Sequence, residues 1–219
     1  MTGASPPPSV RDRTPLELLA AAERLFAAHG IDGVSLRQIG NEAGHRNPAV
    51  VQYHFGSKTA LLQAILEHRL PAINAHRTEI LEALHREGRQ NDLRSLVEAM
   101  ARPLFELGPE AAHYVAFLAR LMNHRRALET AADSATHTGA MSARLAGESI
   151  RAALGHIPHS LREHRILMAI ELMVNTIANR QACVAAGEDD GLTQEMVEGD
   201  LLDGMVGLLS APHTTPSKD

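Results

Sequence analysis

A short segment in the first quarter of the chain carries side chains that could contact DNA bases. Gln52 and Tyr53 supply an amide and a phenol, and Ala49 adds a small apolar group on the same side of a helix. Val51 and Phe55, spaced four residues apart, lie on another side and are expected to face a core. A glutamine amide can hydrogen-bond adenine through both of its polar atoms, and small apolar groups can contact the thymine methyl. The pattern therefore predicts recognition of base pairs in the major groove.

The helix that holds these residues is predicted to be the second of two short helices joined by a turn. Ser35 and Gln38 form a capping box that opens the first helix, and Gly44 ends it about two turns later. Asn47, followed by proline, opens the second helix, which reaches Phe55. Helices this short are not stable alone and must pack on a neighbour. Their spacing is typical of a helix-turn-helix.

The neighbouring helix is predicted to precede them in the chain. Thr14, Pro15 and Glu17 combine an N-cap, a proline at the first helical position and a glutamate at the third. They predict a helix over residues 15–29 that Gly30 terminates. Residues 14–56 should therefore form a three-helix DNA-binding head.

The rest of the chain is also predicted to be helical, which makes the protein all-α. Tryptophan is absent and aromatic residues make up only 3% of the chain, so the core must be built from aliphatic side chains, which favours packed helices. Residues 57–211 should form a helical ligand-binding and dimerisation domain, whereas the proline-bearing ends, residues 1–13 and 212–219, are expected to be disordered. The predicted helices of this domain cover residues 57–87, 92–107, 110–129, 134–156, 160–186 and 193–210.

The charge distribution restricts any contact with phosphate to the N-terminal quarter. Residues 1–60 hold six Lys/Arg against five Asp/Glu, a net charge of +1, whereas the remainder holds 15 against 21, a net charge of −6. No stretch has the length and apolar character of a signal peptide or a membrane-spanning helix. A single cysteine gives no sign of an oxidising compartment, so a cytoplasmic protein without membrane contact is expected.

The head resembles the TetR family of transcriptional regulators. The resemblance is carried by Leu36-Arg37-Gln38-Ile39-Gly40-Asn41-Glu42-Ala43-Gly44, by Tyr53-His54-Phe55-Gly56-Ser57-Lys58 and by Leu61-Leu62. It is specific over residues 14–66, and beyond them only the helical architecture is similar. The resemblance implies a homodimer whose heads insert the helix around residues 48–54 into successive major grooves of a palindromic operator. It further implies repression of transcription until a small-molecule effector binds.

The resemblance also implies which residues contact double-stranded DNA. The expected phosphate contacts are Ser35, Arg37, His54 and Lys58. The expected base contacts are Arg46, Asn47, Ala49, Val50, Gln52 and Tyr53. The turn departs from the family pattern, because eleven steps separate Gly44 from Phe55 where ten are usual. The extra residue lies within positions 45–47, and base contacts from Arg46 to Tyr53 can shift by one position.

Two further sets of residues are assigned to the helical domain of residues 57–211, which we call the body. Apolar stripes on the last two long helices are expected to pair with their symmetry mates in a dimer interface. These residues are Ile166, Ile170, Met173, Val174, Ile177, Leu201, Met205 and Leu208. A mostly apolar ligand pocket with a few polar groups is expected between the middle helices. Its candidate residues are Phe105, His113, Tyr114, Phe117, Arg120, Leu121, Met122, Met141 and Asn175.

No catalytic residues, metal or cofactor are assigned. His156 and His159 lie close in sequence, but Pro158 separates them and no carboxylate or cysteine cluster completes a metal site. Cys183 is interpreted as a small hydrophobic residue. Arg11 and Arg13 could enter a minor groove or form a solvated basic pair. Two alternatives remain: a small-molecule-binding protein or enzyme that keeps the head as a scaffold, and a DNA-binding protein without a ligand.

Overall fold

The structure, a computed structural model, describes residues 10–124, 141–188 and 190–213. These ranges contain nine α-helices, one 3₁₀ turn and no strand, which confirms the all-α prediction. The helices are α1 (Val10–His29), α2 (Leu36–Glu42), α3 (Val50–Phe55), α4 (Lys58–Arg86), α5 (Leu93–Phe105), α6 (Tyr114–Asn123), α7 (Met141–Ala153), α8 (His159–Ala186) and α9 (Gln194–Ser210). The 3₁₀ turn, Pro109–Ala111, precedes α6. None of the helices in the described ranges is long and apolar enough to cross a membrane.

The predicted helix caps are largely confirmed. The Ser35 hydroxyl accepts a hydrogen bond from the Gln38 amide, and the Gln38 side chain accepts one from the Ser35 amide, which completes the capping box of α2. The Ser57 hydroxyl accepts a hydrogen bond from the Ala60 backbone amide at the start of α4. The Thr193 hydroxyl accepts one from the Met196 backbone amide at the start of α9. Each cap satisfies a backbone donor that a helix start leaves free.

Three predicted helix starts are wrong. The first helix begins at Val10, not after Thr14, so Pro15 lies inside α1. A proline at this position removes one backbone hydrogen bond and crowds the carbonyl four residues earlier. The helix α3 begins at Val50, two residues after Pro48. The region from Pro109 forms a 3₁₀ turn before α6 begins at Tyr114.

The remaining long helices match their predicted extents where the structure describes them. Parts of two predicted helices, residues 125–129 and 134–140, lie outside the described residues. The same holds for residues 1–9 and 214–219 of the predicted disordered ends. Residues 10–13, predicted to be disordered, form the first turn of α1.

The helices α1, α2 and α3 form the head, and α4 runs from the head into the body. The helix α1 packs on α2, on α4 and on α6, so it touches both parts of the molecule. In the body α5 packs on α4, α7 and α9, while α8 packs on α6 and α9. The Phe26 ring of α1 lies 6.2 Å from the Phe117 ring of α6, and both side chains are fully buried. The hydrophobic core is therefore continuous from head to body.

An ion pair also joins the head to the body. Arg69 of α4 donates from Nε and Nη2 to the Glu23 carboxylate of α1 at 2.9 and 3.2 Å. Glu23 is only 3% exposed. Arg69 also donates to the backbone carbonyl of Glu110 in the 3₁₀ turn. One guanidinium thus ties α1 to the segment that leads into α6.

Candidate functional site

The exposed face of α3 is formed by the polar residues that the sequence assigns to base contact. Gln52 and Ala49 are exposed, and the Tyr53 side chain is 84% exposed. Val51 is fully buried, and Phe55 packs against the core, as predicted. This face therefore presents an amide and a phenol to solvent, which are polar groups that base recognition can use.

Val50 does not belong to this face. Its side chain is buried, and a methyl group added at Gly40 would lie 3.1 Å from the Val50 Cγ1 atom. The Val50 side chain, which the sequence assigns to base contact, packs α3 against α2 in the structure. Gly40 lets the two helices approach this closely because it has no side chain.

The turn between α2 and α3 presents two further candidates to solvent. Gly44 adopts a φ of +78°, and the His45 amide donates to the Gly40 carbonyl at 2.9 Å. The Asn47 Oδ1 atom accepts a hydrogen bond from the Ala49 amide at 3.0 Å, which forms an Asx turn ahead of α3. Arg46 and Asn47 are exposed. Asn47 therefore has a local structural role as well as an exposed position.

Three of the four predicted phosphate contacts are exposed near α3. Ser35, Arg37 and His54 face solvent. The Lys58 side chain is half-buried, and its Nζ atom donates to the Ile31 carbonyl at 3.0 Å. Lys58 thus fixes the loop between α1 and α2, and an ammonium with three donors keeps capacity for another acceptor.

Two exposed arginines of the head are available for an external anion. Arg37 and Arg46 form no ion pair with any residue that the structure describes. By contrast, Arg24 pairs with Glu42 at 3.0 Å. Unpaired positive charge is therefore present on α2 and in the turn before α3, as expected of a surface that meets phosphates.

This geometry defines a helix-turn-helix DNA-binding head on an all-helical body. Residues 18–65 match the family model for bacterial regulatory proteins of the tetR family. The match runs from α1 through α2 and α3 into the first turns of α4. The head thus matches the tetR-family model, and the resemblance found in the sequence is confirmed.

Solved structures extend the similarity of the fold to the body. A TetR-family regulator from Rhodococcus sp. is 20% identical with a TM-score of 0.50, over 90% of this chain and 98% of that one. One from Mesorhizobium loti is 16% identical with a TM-score of 0.52, over 92% and 98%. PfmR from Thermus thermophilus is 20% identical with a TM-score of 0.50, over 90% and 99%. No curated protein matches the chain. The chain thus has the fold of a TetR-family transcriptional regulator.

A groove in the body brings together two of the predicted ligand residues. Phe105 and His113 line an open cavity of about 500 Å³ between the end of α5, the 3₁₀ turn, α8 and the start of α9. The other lining residues are Leu107, Gly108, Pro109, Ala112, Ala116, Ile177, Ala178, Arg180, Gln181, Ala182, Val184, Ala185, Gln194 and Glu198. The volume and the mostly apolar lining with a few polar groups are those of small-molecule sites.

Two polar atoms of groove-lining residues have no hydrogen-bond partner in the part of the chain that the structure describes. They are the Nε atom of Arg180 and the Oε1 atom of Gln181, both buried. The other nitrogens of Arg180 donate to the Asp190 carboxylate at 3.0 Å and to the Leu192 carbonyl at 2.7 Å. A buried polar atom without a partner costs about 1–3 kcal/mol, which a ligand in the groove could recover.

The other predicted ligand residues do not line this groove. Tyr114, Phe117 and Leu121 are fully buried in the core, and the Tyr114 ring packs 6.1 Å from the Phe117 ring. Burial raises the pKa of the Tyr114 phenol. Met122 packs against the same core, whereas Met141 is 60% exposed.

The two remaining polar candidates are engaged elsewhere. The Arg120 Nε atom donates to the Ala27 carbonyl of α1 at 3.2 Å, so Arg120 contacts the head. The Asn175 amide donates to the Glu171 carbonyl of its own helix at 2.8 Å. A single sequence could not distinguish these contacts from ligand contacts, since both use the same polar atoms.

The predicted dimer-interface residues lie inside the monomer. Ile166, Met173, Val174, Ile177, Leu201 and Met205 are buried, while Ile170 and Leu208 are partly buried against the core. These side chains pack α8 and α9 onto the rest of the chain, so they are largely covered within the monomer. Large apolar residues that remain exposed on α8 are Leu167, Met168, Leu172 and Val184, and Met196 is exposed on α9.

The remaining sequence candidates carry no site in the structure. Among the described residues no group of three or more His, Cys, Asp or Glu side chains could hold a metal ion. Cys183 is half-buried, and a hydrogen bond with Glu188 raises the pKa of its thiol. A raised pKa lowers the thiolate fraction and hence the reactivity. The Arg69–Glu23 pair could not be predicted from the sequence, because 46 positions separate its members.

Proposed function

We propose that the protein is a ligand-responsive transcriptional regulator that binds a palindromic operator as a homodimer and represses transcription until a small, mostly apolar molecule releases it. The observation that carries the DNA-binding half of this proposal is the face of α3. Gln52 and Tyr53 are exposed there, and Val51 secures the helix to the core. Arg37 on α2 and Arg46 in the turn before α3 are exposed as well. Base readers on one helix with phosphate contacts at its edges are what major-groove recognition needs.

Selection from a random duplex library tests the DNA-binding half. The wild-type protein should enrich an inverted repeat, because two symmetry-related heads read the same half-site in opposite directions. A Tyr53→Ala, Gln52→Ala double variant should enrich no motif while keeping its folded state, since both side chains are exposed. Gln63→Ala, on the neighbouring helix α4, serves as the control substitution and should enrich the wild-type motif. Failure of the wild type to enrich any sequence would contradict the proposal.

The effector half of the proposal rests on the groove beside the 3₁₀ turn. The groove has the volume and apolar lining for a small molecule, and Arg180 and Gln181 contribute polar atoms that lack partners among the described residues. Gly108 and Pro109 form part of its wall. The next residue, Glu110, accepts the hydrogen bond from Arg69 that also holds Glu23 of the head. A ligand that moves this wall would therefore act on α1 through a short chain of contacts.

A compound screen with a blocked groove tests the effector half. Compounds that raise the melting temperature should also weaken operator binding, because a ligand shifts the equilibrium toward the state that it binds better. Ala182→Trp fills the groove from an exposed position on α8 and should abolish both effects. Ala152→Trp places the same side chain on an exposed position of α7 and should abolish neither. If Ala182→Trp leaves the response to such compounds unchanged, the groove is not the effector site.

A further inference from the structure

The turn ahead of α3 contains a side-chain amide whose two polar atoms are used differently. The Asn47 Oδ1 atom accepts a hydrogen bond from the Ala49 backbone amide at 3.0 Å. The Nδ2 group has no acceptor among the residues that the structure describes, and Asn47 is exposed. Because the oxygen and the nitrogen of an amide lie on opposite sides of Cγ, holding the oxygen against the backbone turns the nitrogen away from it. Asn47 therefore offers N–H donors to an outside partner.

The local sequence holds the amide in this orientation. Pro48 restricts the residue before it to an extended backbone, and it has no N–H of its own. The Asn47 side chain therefore bonds the amide two residues on, which is the hydrogen bond of an Asx turn. The Asn47 carbonyl accepts from the Val50 amide at 3.2 Å, so both oxygens of Asn47 face the start of α3. A flipped side chain would set N–H against N–H and leave the Ala49 amide without this acceptor.

Gln52 carries the same chemical group without this restriction. It is exposed on α3, and neither polar atom of its side chain has a hydrogen-bond partner among the described residues. Its amide can rotate to present a donor, an acceptor or both, and adenine requires both. The two amides of the head thus differ in the polarity that they offer to DNA.

The bases of a duplex differ in the polar groups that they show in the major groove. Guanine shows two acceptors, N7 and O6, whereas cytosine shows only the N4 donor. An amide that offers N–H groups alone can therefore bond guanine twice and cannot bond cytosine. In helix-turn-helix proteins the N-terminal end of the second helix contacts base edges. Asn47 lies three residues before Val50, the first residue of α3, and so belongs to this end of the helix.

We propose that Asn47 specifies guanine at one position of each half-site by donating from Nδ2 to the N7 and O6 acceptors. This inference rests on the proposed operator binding and adds the polarity of one contact to it. The Asx turn sets the polarity and the residue type alone does not, since an asparagine with a free amide bonds adenine through both of its polar atoms. Asn47 lies within positions 45–47, where the turn is one residue longer than the family pattern, so the contact follows from this chain's own geometry.

Binding of the full-length protein to its enriched motif, with each position randomised in turn, tests this inference. Asn47→Ala should remove the preference at one position, which identifies the contact. The wild type should prefer guanine to cytosine there by about tenfold or more. Asn47→Asp keeps the oxygen that bonds the Ala49 amide but replaces the N–H donors with an acceptor. It should keep the wild-type melting temperature and change the preference at the same position to cytosine, because the cytosine N4 group is a donor.

A matched variant controls for the added negative charge. Asn41→Asp makes the same change at an exposed position of α2. It should leave every base preference as in the wild type, even if it weakens binding to all sequences through repulsion of phosphates.

Several outcomes would overturn the guanine contact while the proposed function stands, because the wild type would still enrich an inverted repeat. Equal weakening of all sequences by Asn47→Asp, with no change of preference, would assign Asn47 to a phosphate. A wild-type preference for adenine or cytosine at the identified position would show that the amide oxygen contacts the base. Unchanged preferences in Asn47→Ala would remove Asn47 from base recognition. A wild type that enriches no motif would instead contradict the proposed function and this inference together.

Discussion

At the scale of single residues, some side chains of the head are exposed to solvent, whereas others pack or form hydrogen bonds within the fold. Gln52 and Tyr53 are exposed, and their side chains form no hydrogen bond with any residue that the structure describes, whereas Val50 and Val51 pack against the core. Arg37 is exposed and unpaired among the described residues, whereas Lys58 is held by a backbone carbonyl. Sequence recognition and DNA affinity should therefore respond differently to substitution at these positions.

Substitution of Gln52 should change specificity. Gln52→Ala removes a side chain that can hydrogen-bond a base edge, so discrimination at one operator position should fall by about 1–3 kcal/mol. Binding to a library with each operator position randomised measures this. An unchanged preference at every position would assign base recognition to Arg46 and Asn47 instead.

Substitution of Arg37 should change affinity without changing specificity. Arg37→Ala removes an exposed charge from the first turn of α2, so binding to all sequences should weaken and the slope of log affinity against log salt should fall by about one per head. Titrations at several salt concentrations check this. Lys58→Ala should also lower the melting temperature, because the Nζ bond to the Ile31 carbonyl is lost. A change of base preference at a single position would contradict the phosphate role of Arg37.

At the scale of helices, the residues at which a helix begins could be predicted from the sequence better than the side of the helix that is buried. Ser35 and Ser57 act on backbone groups within three residues, so local sequence is sufficient to locate α2 and α4. The face that α8 buries could not be predicted. Apolar residues such as Met168 and Met173 lie on opposite sides of this helix, and only tertiary packing decides which side meets the core.

The contact between α2 and α3 yields a prediction at this scale. Gly40→Val would place a branched side chain against Val50, where even one methyl group is 3.1 Å from Cγ1. Overpacking of this kind costs about 1–3 kcal/mol and should displace α3. We expect a lower melting temperature together with a loss of operator affinity. Gly204→Val, on α9 with open space around the glycine, is the control and should keep operator affinity. Normal DNA binding by Gly40→Val would show that the spacing of the two helices is not critical.

The cap of α5 gives a pH-dependent prediction. Asp92 accepts hydrogen bonds from the hydroxyl and the backbone amide of Ser95, which lower the pKa of its carboxyl group. A folded-state pKa below the unfolded value stabilises the protein above the unfolded value, and this stabilisation is lost as the pH falls through the folded value. Asp92→Ala should cost about 1 kcal/mol at pH 7 and less in acid. Denaturant titrations at both pH values measure the difference, and an equal cost at both would contradict the role of the ionised cap.

At the scale of the whole molecule, the proposed homodimer needs an apolar face that the monomer leaves open. Met168 and Leu172 of α8 lie one turn apart and are 40% and 38% exposed. They lie on the side of α8 away from the core stripe that contains Met173 and Ile177. Exposed apolar residues at helical spacing favour pairing with a second copy of the same helix.

A charge on this face should separate the protomers. Leu172→Glu should produce folded monomers with weak operator binding, as measured by sedimentation and by circular dichroism. Leu145→Glu makes the same change at a 50% exposed position of α7 and should remain dimeric. Met173→Glu should unfold the chain, because the side chain is only 3% exposed. A dimeric Leu172→Glu variant would place the interface on another face.

The central claim is that two joined heads read two half-sites of one operator through α3. The most direct test compares the enriched inverted repeat with a version in which five base pairs are inserted between its halves. Half a helical turn moves the second half-site to the opposite side of the duplex, since half-sites must lie about 10–10.5 base pairs apart or a multiple of it. We predict that the affinity falls about 100-fold or more, toward that of a single head. An affinity that is indifferent to this insertion would contradict the account.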